Sequence, residues 1–184
     1  MPLITSILTG KVLSSPCALR RFIVNIELAI CEGEELLLLG KTRKIGRRIQ
    51  EIEIGEKLTL TEKIEDKDLL LYLGLTNDNN PLYIQHDFAA KTQYGKPIVP
   101  SIMLTGIITS AISKYLPGPG SHITKQFISF PIPTYHYSIV EFTFEVKEIV
   151  ERLNNVIITV LAQNDQNEIV VEGEFHVTPP IIEK

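Results

Sequence analysis

The chain is short of the residues that mark several common classes of protein. It carries only two cysteines, Cys17 and Cys31, in 184 residues. Neither has the close spacing of a zinc site, and both lie in strand-like apolar surroundings where a free thiol packs as a small hydrophobe. A disulfide is therefore disfavoured. The four histidines are His86, His122, His136 and His176; they are scattered without ligand spacing, so no metal is assigned. Basic residues number 18 against 22 acidic ones, a net charge of -4. That balance argues against a general nucleic-acid binder, whose affinity comes from neutralising phosphates; a small molecule is the expected partner. No apolar run is long enough to span a membrane, and Met1 to Leu13 lacks the basic start and long apolar centre of a signal peptide. The expected location is cytoplasmic.

What is present is enough apolar sequence, 44%, for one good core and an extension, though not for two full domains. The stretch from Thr76 to Leu116 organises the rest. Its second half predicts one long apolar helix, because Ile102, Met103, Leu104, Ile107, Ile108, Ala111, Ile112 and Leu116 cover more than one face; such a helix is expected to be buried nearly all round. Pro97 and Pro100 keep the preceding turn out of the helix, Ser101 is the expected cap, and Pro117-Gly118-Pro119-Gly120 ends it. Ahead of it lies a polar loop, Thr76-Asn77-Asp78-Asn79-Asn80-Pro81, rich in turn-forming residues and presenting one carboxylate.

Alternation of apolar and polar residues predicts strands from Arg21 to Ile30, Glu56 to Ile64 and Val140 to Lys147. The leucines of Glu35 to Lys41 favour a helix by propensity, but its shortness and flanking glycines favour a strand, and Asn155 to Ala162 and Glu168 to Glu174 form a similar pair at the far end. Ile123 to Pro133 is strand-like but marked by proline, which suits an edge or a bulged strand. Glu65-Asp66 opens a short helix over Lys67 to Leu75, and Ile84 to Thr92 reads as a further helical turn or two ended by Gly95. One strand, then helices, then consecutive strands gives an antiparallel α+β domain. The first two strands form a β-hairpin, residues 1–45, ahead of a main domain at 46–184. Glu35 to Lys41 lies over Glu168 to Glu174 with the glycines in register, so the hairpin is either the end of a second, truncated unit of the same fold or an edge hairpin that merely looks alike. Gly40 to Arg48 is a basic run, read either as a phosphate-binding segment or as a solvated strand end and linker.

The residues Thr76, Asp78, Asn80-Pro81-Leu82, Phe88-Ala89, Gly95, Pro97-Ile98-Val99, Met103-Leu104 and Leu116-Pro117-Gly118 together resemble the MaoC-like, (R)-specific enoyl-CoA hydratases. The resemblance runs from about Gly55 to Val177. It implies the hotdog fold, an antiparallel sheet wrapped around one long helix, and pairing through a sheet edge into a homodimer. It also implies acyl-CoA or acyl-carrier-protein thioesters as partners, a place in fatty acid metabolism, and no cofactor beyond the thioester's own coenzyme A.

The family pattern reads S/T-G-D-x-N-P-L-H-x-D and then P-I-V-H-G-M-L at the helix start. This chain keeps Asp78 and Asn80-Pro81, but has Tyr83 for the histidine, Gln85 for the second aspartate and Pro100-Ser101 for His-Gly. Hydration of a 2-enoyl thioester needs a base for water, an acid for the α-carbon and donors for the thioester oxygen. Carried over residue by residue, Asp78 and Tyr83 take the catalytic positions. Asn80, Pro100, Ser101, Ile102 and Met103 take the substrate-binding ones. Free amides at the helix start suit the thioester oxygen, though Pro100 supplies no donor. A phenol, with its ordinary pKa of about 10, replaces an imidazole poorly at neutral pH. His86, three residues after Tyr83, is either a substitute for the missing histidine or a plain surface residue. Three functions follow: an (R)-specific hydratase or dehydratase with a degenerate site, a non-catalytic acyl-thioester binding module, or a hotdog thioesterase.

Overall fold

The computed structural model describes residues 45–181. The expected N-terminal hairpin, both cysteines and most of the basic run lie outside the described residues. Five strands form one antiparallel sheet: β1 (Lys57–Lys63), β2 (His122–Ser129), β3 (Ile139–Val150), β4 (Asn155–Asn164) and β5 (Ile169–Thr178), in the order β1-β3-β4-β5-β2. Strand periodicity sends Val140, Phe142, Phe144 and Val146 of β3 to one face, and Val156, Ile158, Val160 and Ala162 of β4 to the same face, all of them buried. On β5 the register shifts between Ala162 and Gln163 of its partner, and both Val170 and Val171 are buried. An extra residue in a strand changes which side chains face inward, and so lets neighbours share the core. The β2 strand is an edge with a register shift between Ile123 and Lys125. It stops at Ser129, short of the expected Pro133, because Pro131 and Pro133 cannot continue the ladder.

Helices α1 (Asp66–Thr76), α2 (Pro81–Ile84), α3 (His86–Ala89) and α4 (Ser101–Lys114) complete the domain. Of the expected helical stretch from Ile84 to Thr92 only His86–Ala89 forms a helix of its own; Ile84 ends the preceding helix, and Gln85, whose backbone is extended, separates the two. Leu104, Ile108, Ala111 and Ile112 of α4, followed by Leu116, join the sheet's inner face in one apolar cluster. Truncating a core aromatic of that cluster, such as Phe142 or Phe144, costs about 3–5 kcal/mol in comparable cores.

Two expectations for α4 are corrected. The helix is not covered all round: Ser101, Ile102, Gly106, Ser113 and Lys114 are exposed, because the one sheet among the described residues packs on the flank that carries Leu104, Ile108 and Ile112. Nor does Ser101 cap it. Pro100 holds the cap position, no side chain accepts a bond from the first turn, and Ser101 is the first helical residue. Proline's fixed φ suits a helix boundary, but it has no side-chain acceptor.

Candidate functional site

The site begins with the way α1 ends. Glu65 and Asp68 close a capping box at its start, the Glu65 N–H donating to Asp68 Oδ2 at 3.1 Å. At its end Asn77 takes the left-handed conformation (φ 54°) and donates to Leu73 O at 2.8 Å. Asparagine tolerates that conformation, and it turns the chain sharply. Asp78 follows. Its Oδ2 accepts from the Tyr72 hydroxyl at 3.0 Å and its Oδ1 from the Asn80 N–H at 3.2 Å. The carboxylate is thereby held from the helix behind it and the loop ahead of it. Burial first, and the bond to Asp78 second, push the Tyr72 hydroxyl above its ordinary pKa. Tyr72 therefore stays protonated and keeps donating at neutral pH.

Asn80 is a helix cap: its Oδ1 accepts from the Leu82 N–H at 3.0 Å, with Pro81 at the first helical position of α2. This is the usual division of labour at a helix start, where proline sacrifices a donor that would be unpaired anyway. Tyr83 is half-buried on α2. The hydrogen bonds of Asp78 run to Tyr72 and Asn80 and not to Tyr83. His86 opens the separate helix α3, is exposed, and acts electrostatically on Asp66. It does not share a helix with Tyr83.

The segment leading to α4 is pinned on both sides. Ile98 N–H donates to Leu82 O at 3.3 Å, Val99 N–H donates to Thr134 O at 2.8 Å, and Ile98 bridges Tyr135. Pro100 is buried, and Met103 N–H is taken by Pro100 O at 2.9 Å. The amides of Ser101 and Ile102 precede the first intrahelical acceptor, as at every helix start. Ile102 and Met103 line an apolar groove of about 560 Å³ between α1 and α4, which Tyr72 also lines. Ser101 lines a different hollow, of about 370 Å³, with Tyr94, Phe130 and Thr134. The start of α4 thus divides two cavities, and Asp78 communicates with the first through Tyr72.

Tyr72 is the site residue that the sequence pattern did not single out. The available signal was its place in the last turns of the helix that delivers the carboxylate loop. A second cluster also escaped: Asp66 accepts from the Tyr137 hydroxyl and pairs with His136 Nδ1 at 3.1 Å, some seventy residues away in sequence. The Tyr137 bond first, and His136 second, hold the Asp66 carboxyl below its ordinary range. The basic run shows its end only. Arg47 pairs with Glu56 at 2.6 Å and its N–H donates to Pro117 O at 2.9 Å. That places it at the far end of α4 from Ser101, roughly 20 Å away by the helical rise. Among the described residues no group of three His, Cys, Asp or Glu is arranged to hold a metal, and no helix is long and apolar enough to cross a membrane.

No family model matches the chain. Individual proteins do. A 3-hydroxybutyryl-CoA dehydratase of Methylorubrum extorquens is 30% identical over 132 residues, which cover 71% of this chain and 83% of that protein. An (R)-specific enoyl-CoA hydratase of Rhodospirillum rubrum is 28% identical over 131 residues, covering 71% and 90%. Among solved structures, the unliganded R-hydratase of Pseudomonas aeruginosa superposes with a TM-score of 0.70 at 28% identity, covering 74% of this chain and 88% of that one. The (R)-hydratase of Aeromonas caviae does so with a TM-score of 0.68 at 28% identity, covering 71% and 99%. With a five-stranded antiparallel sheet packed on one long helix, and the Asp78-Asn80-Pro81 loop ahead of that helix, the chain belongs to the MaoC-like, (R)-specific enoyl-CoA hydratase family of hotdog proteins.

Proposed function

We propose that the protein is an (R)-specific 2-enoyl-CoA hydratase, or a 3-hydroxyacyl-thioester dehydratase in the reverse direction, working without the family's histidine. The observation that carries this reading is the Asp78 carboxylate, fixed by Asn80 and by Tyr72, whose side chain also lines the groove along α4. Asp78 accepts a proton from water as the water oxygen bonds to C3 of the enoyl ester. The electron pair moves through C2 onto the thioester oxygen, where the free amides of Ser101 and Ile102 stabilise it. Asp78 then returns the proton to C2 as the enolate collapses, so that H and OH have been added across the double bond. One carboxylate does the work that the family divides between two side chains.

The fit to an acyl-thioester comes from family membership together with an apolar groove that meets the carboxylate's hydrogen-bond partner. The same reading includes a cytoplasmic homodimer joined at a sheet edge. It is supported by β1 and β2 standing at the two ends of the sheet and by exposed Phe127 on β2. Among the described residues no further strand pairs with either edge, and open edges invite such pairing. A monomer in light scattering at micromolar concentration would remove the dimer from the proposal.

The test is the loss of enoyl absorbance of crotonyl-CoA with wild type, Asp78→Asn, Tyr83→His and the double variant. Asp78→Asn is expected to abolish turnover. Tyr83→His is expected to raise it, because a general acid-base group is typically worth about 10²- to 10⁴-fold. A second reading, a binding module without turnover, draws support from the donors already occupying both Asp78 oxygens. It prevails if all four proteins bind the ester and none consumes it. Release of free thiol without loss of the double bond would instead mark a thioesterase.

A further inference from the structure

We propose that Asp66, Tyr137 and His136 form a latch that fixes the start of helix α1, and that through α1 they set where Tyr72 holds the Asp78 carboxylate. They are positioning residues, with no part in the chemistry. Their kinetic effect rests on the hydratase reading, whereas the latch itself does not.

The helix depends on a latch because its own packing is thin. Leu69 is its one buried residue, while Leu70, Leu71 and Leu75 stand 65%, 73% and 88% exposed. A segment with so few buried apolar contacts sits at the low end of local stability. Yet the same helix carries Tyr72, and its reversal at Asn77 sets the loop that presents Asp78. Whatever steadies its first turn therefore steadies the carboxylate.

Asp66 is the first residue of α1, and both of its side-chain partners lie on the connection between β2 and β3: it accepts from the Tyr137 hydroxyl and pairs with His136 Nδ1 at 3.1 Å. That connection is itself clamped to the chain just ahead of α1. Tyr137 N–H donates to Ile64 O at 2.8 Å, and Ile64 N–H donates to Ser138 O at 3.1 Å.

Two unfavourable features meet at this spot. Tyr137 stands at φ 65°, a left-handed conformation that glycine adopts freely and an aromatic residue rarely. The ring does not fill the core, since the residue is 56% exposed; its hydroxyl is what reaches Asp66. His136 presents Nδ1 to the same carboxylate, and the described residues offer its buried Nε2 no partner. Backbone strain and an orphaned polar atom persist only where surrounding structure holds them, and they concentrate at functional positions. Here both belong to residues bonded to one side chain of α1.

The test compares wild type with Tyr137→Phe, which removes the hydroxyl alone, and Tyr137→Gly, which removes the side chain but suits the left-handed backbone. Lys147→Ala, which breaks an ion pair on the sheet, is the control. Hydrogen exchange by mass spectrometry on the full chain is expected to rise roughly threefold or more across α1 and the Asp78 loop in both Tyr137 variants, with α4 and β3 unchanged. A misplacement of about 1 Å costs up to about 100-fold in rate; with the Tyr72 and Asn80 bonds retained, kcat on crotonyl-CoA is expected to fall about tenfold and KM to stay within about twofold. Because the latch acts through Tyr72, adding Tyr137→Phe to Tyr72→Phe is expected to slow the enzyme little further. Lys147→Ala is expected to match wild type in both measurements.

Unchanged exchange in α1 overturns the latch, and so does a Tyr137→Gly protein that exchanges and turns over like wild type, since the residue would then serve only the loop. Faster exchange with unchanged kcat, or losses that multiply in the double variant, overturns the positioning role. A wild type without turnover refutes the hydratase reading separately. Exchange then decides the latch: a rise that reaches the Asp78 loop upholds it, and a rise confined to the first turn of α1 overturns it.

Discussion

Removing the Tyr72 hydroxyl by Tyr72→Phe isolates one of the two anchors on Asp78 while leaving the ring that lines the groove. A hydrogen bond to a charged group contributes about 1.5–3 kcal/mol, and the half-exposed setting here favours the low end. At about 1.4 kcal/mol per factor of ten, a loss near 1.5 kcal/mol is roughly a tenfold fall in kcat. The remaining anchor, the Asn80 N–H at 3.2 Å, fixes one oxygen and leaves the carboxylate free to turn about it. KM for crotonyl-CoA is expected to change less than twofold, because the apolar contact surface is retained. That split separates loss of positioning from loss of the pocket. Because burial and Asp78 both raise the Tyr72 pKa above its ordinary value of about 10, the hydroxyl stays protonated throughout the assay range. The ratio of wild-type to Tyr72→Phe rates should then be constant from about pH 7 to 9. Unchanged kcat in Tyr72→Phe, in a background where Asp78→Asn abolishes turnover, would refute the positioning role.

Two further outcomes follow from the packing and the charges. A Cβ at Gly173 on β5 would lie 2.6 Å from the Phe127 carbonyl of β2, so Gly173→Ala must push the edge strand away; a loss of about 1–3 kcal/mol is expected. Thermal melting reads it, and an unchanged melting temperature would mean that the edge strand adjusts freely. Asp66, whose carboxyl is held below its ordinary range by Tyr137 and then His136, stabilises the fold above its unfolded pKa near the ordinary 3.8 and loses that contribution as pH falls through its lower folded value. Asp66→Asn should therefore melt below wild type at neutral pH and converge with it in acid; parallel melting curves across the range would exclude the contribution.

Sequence periodicity and punctuation determined the local elements. Alternation set β3 and β4, whose inner faces are buried where Val140, Phe142 and Phe144 recur at every second position. Pro100 and Pro117 bounded α4, because proline restricts the backbone wherever it stands. The Thr76-to-Pro81 loop was legible as a carboxylate-bearing turn for the same local reason. The identity of Asp78's partner was not legible, because it depends on how the chain reverses at Asn77 and returns beside α1. Nor was the open flank of α4. Ile102 reads as core by periodicity yet is exposed, and Met103 and Ile107 are only partly buried against the core, because a side chain is buried only if another element arrives to cover it. Among the described residues one sheet packs on the helix, and α1 lines a groove beside it. Pairings such as Asp66 with His136 and Tyr137 join residues some seventy positions apart. The sheet order β1-β3-β4-β5-β2 creates such contacts, and no local pattern encodes them.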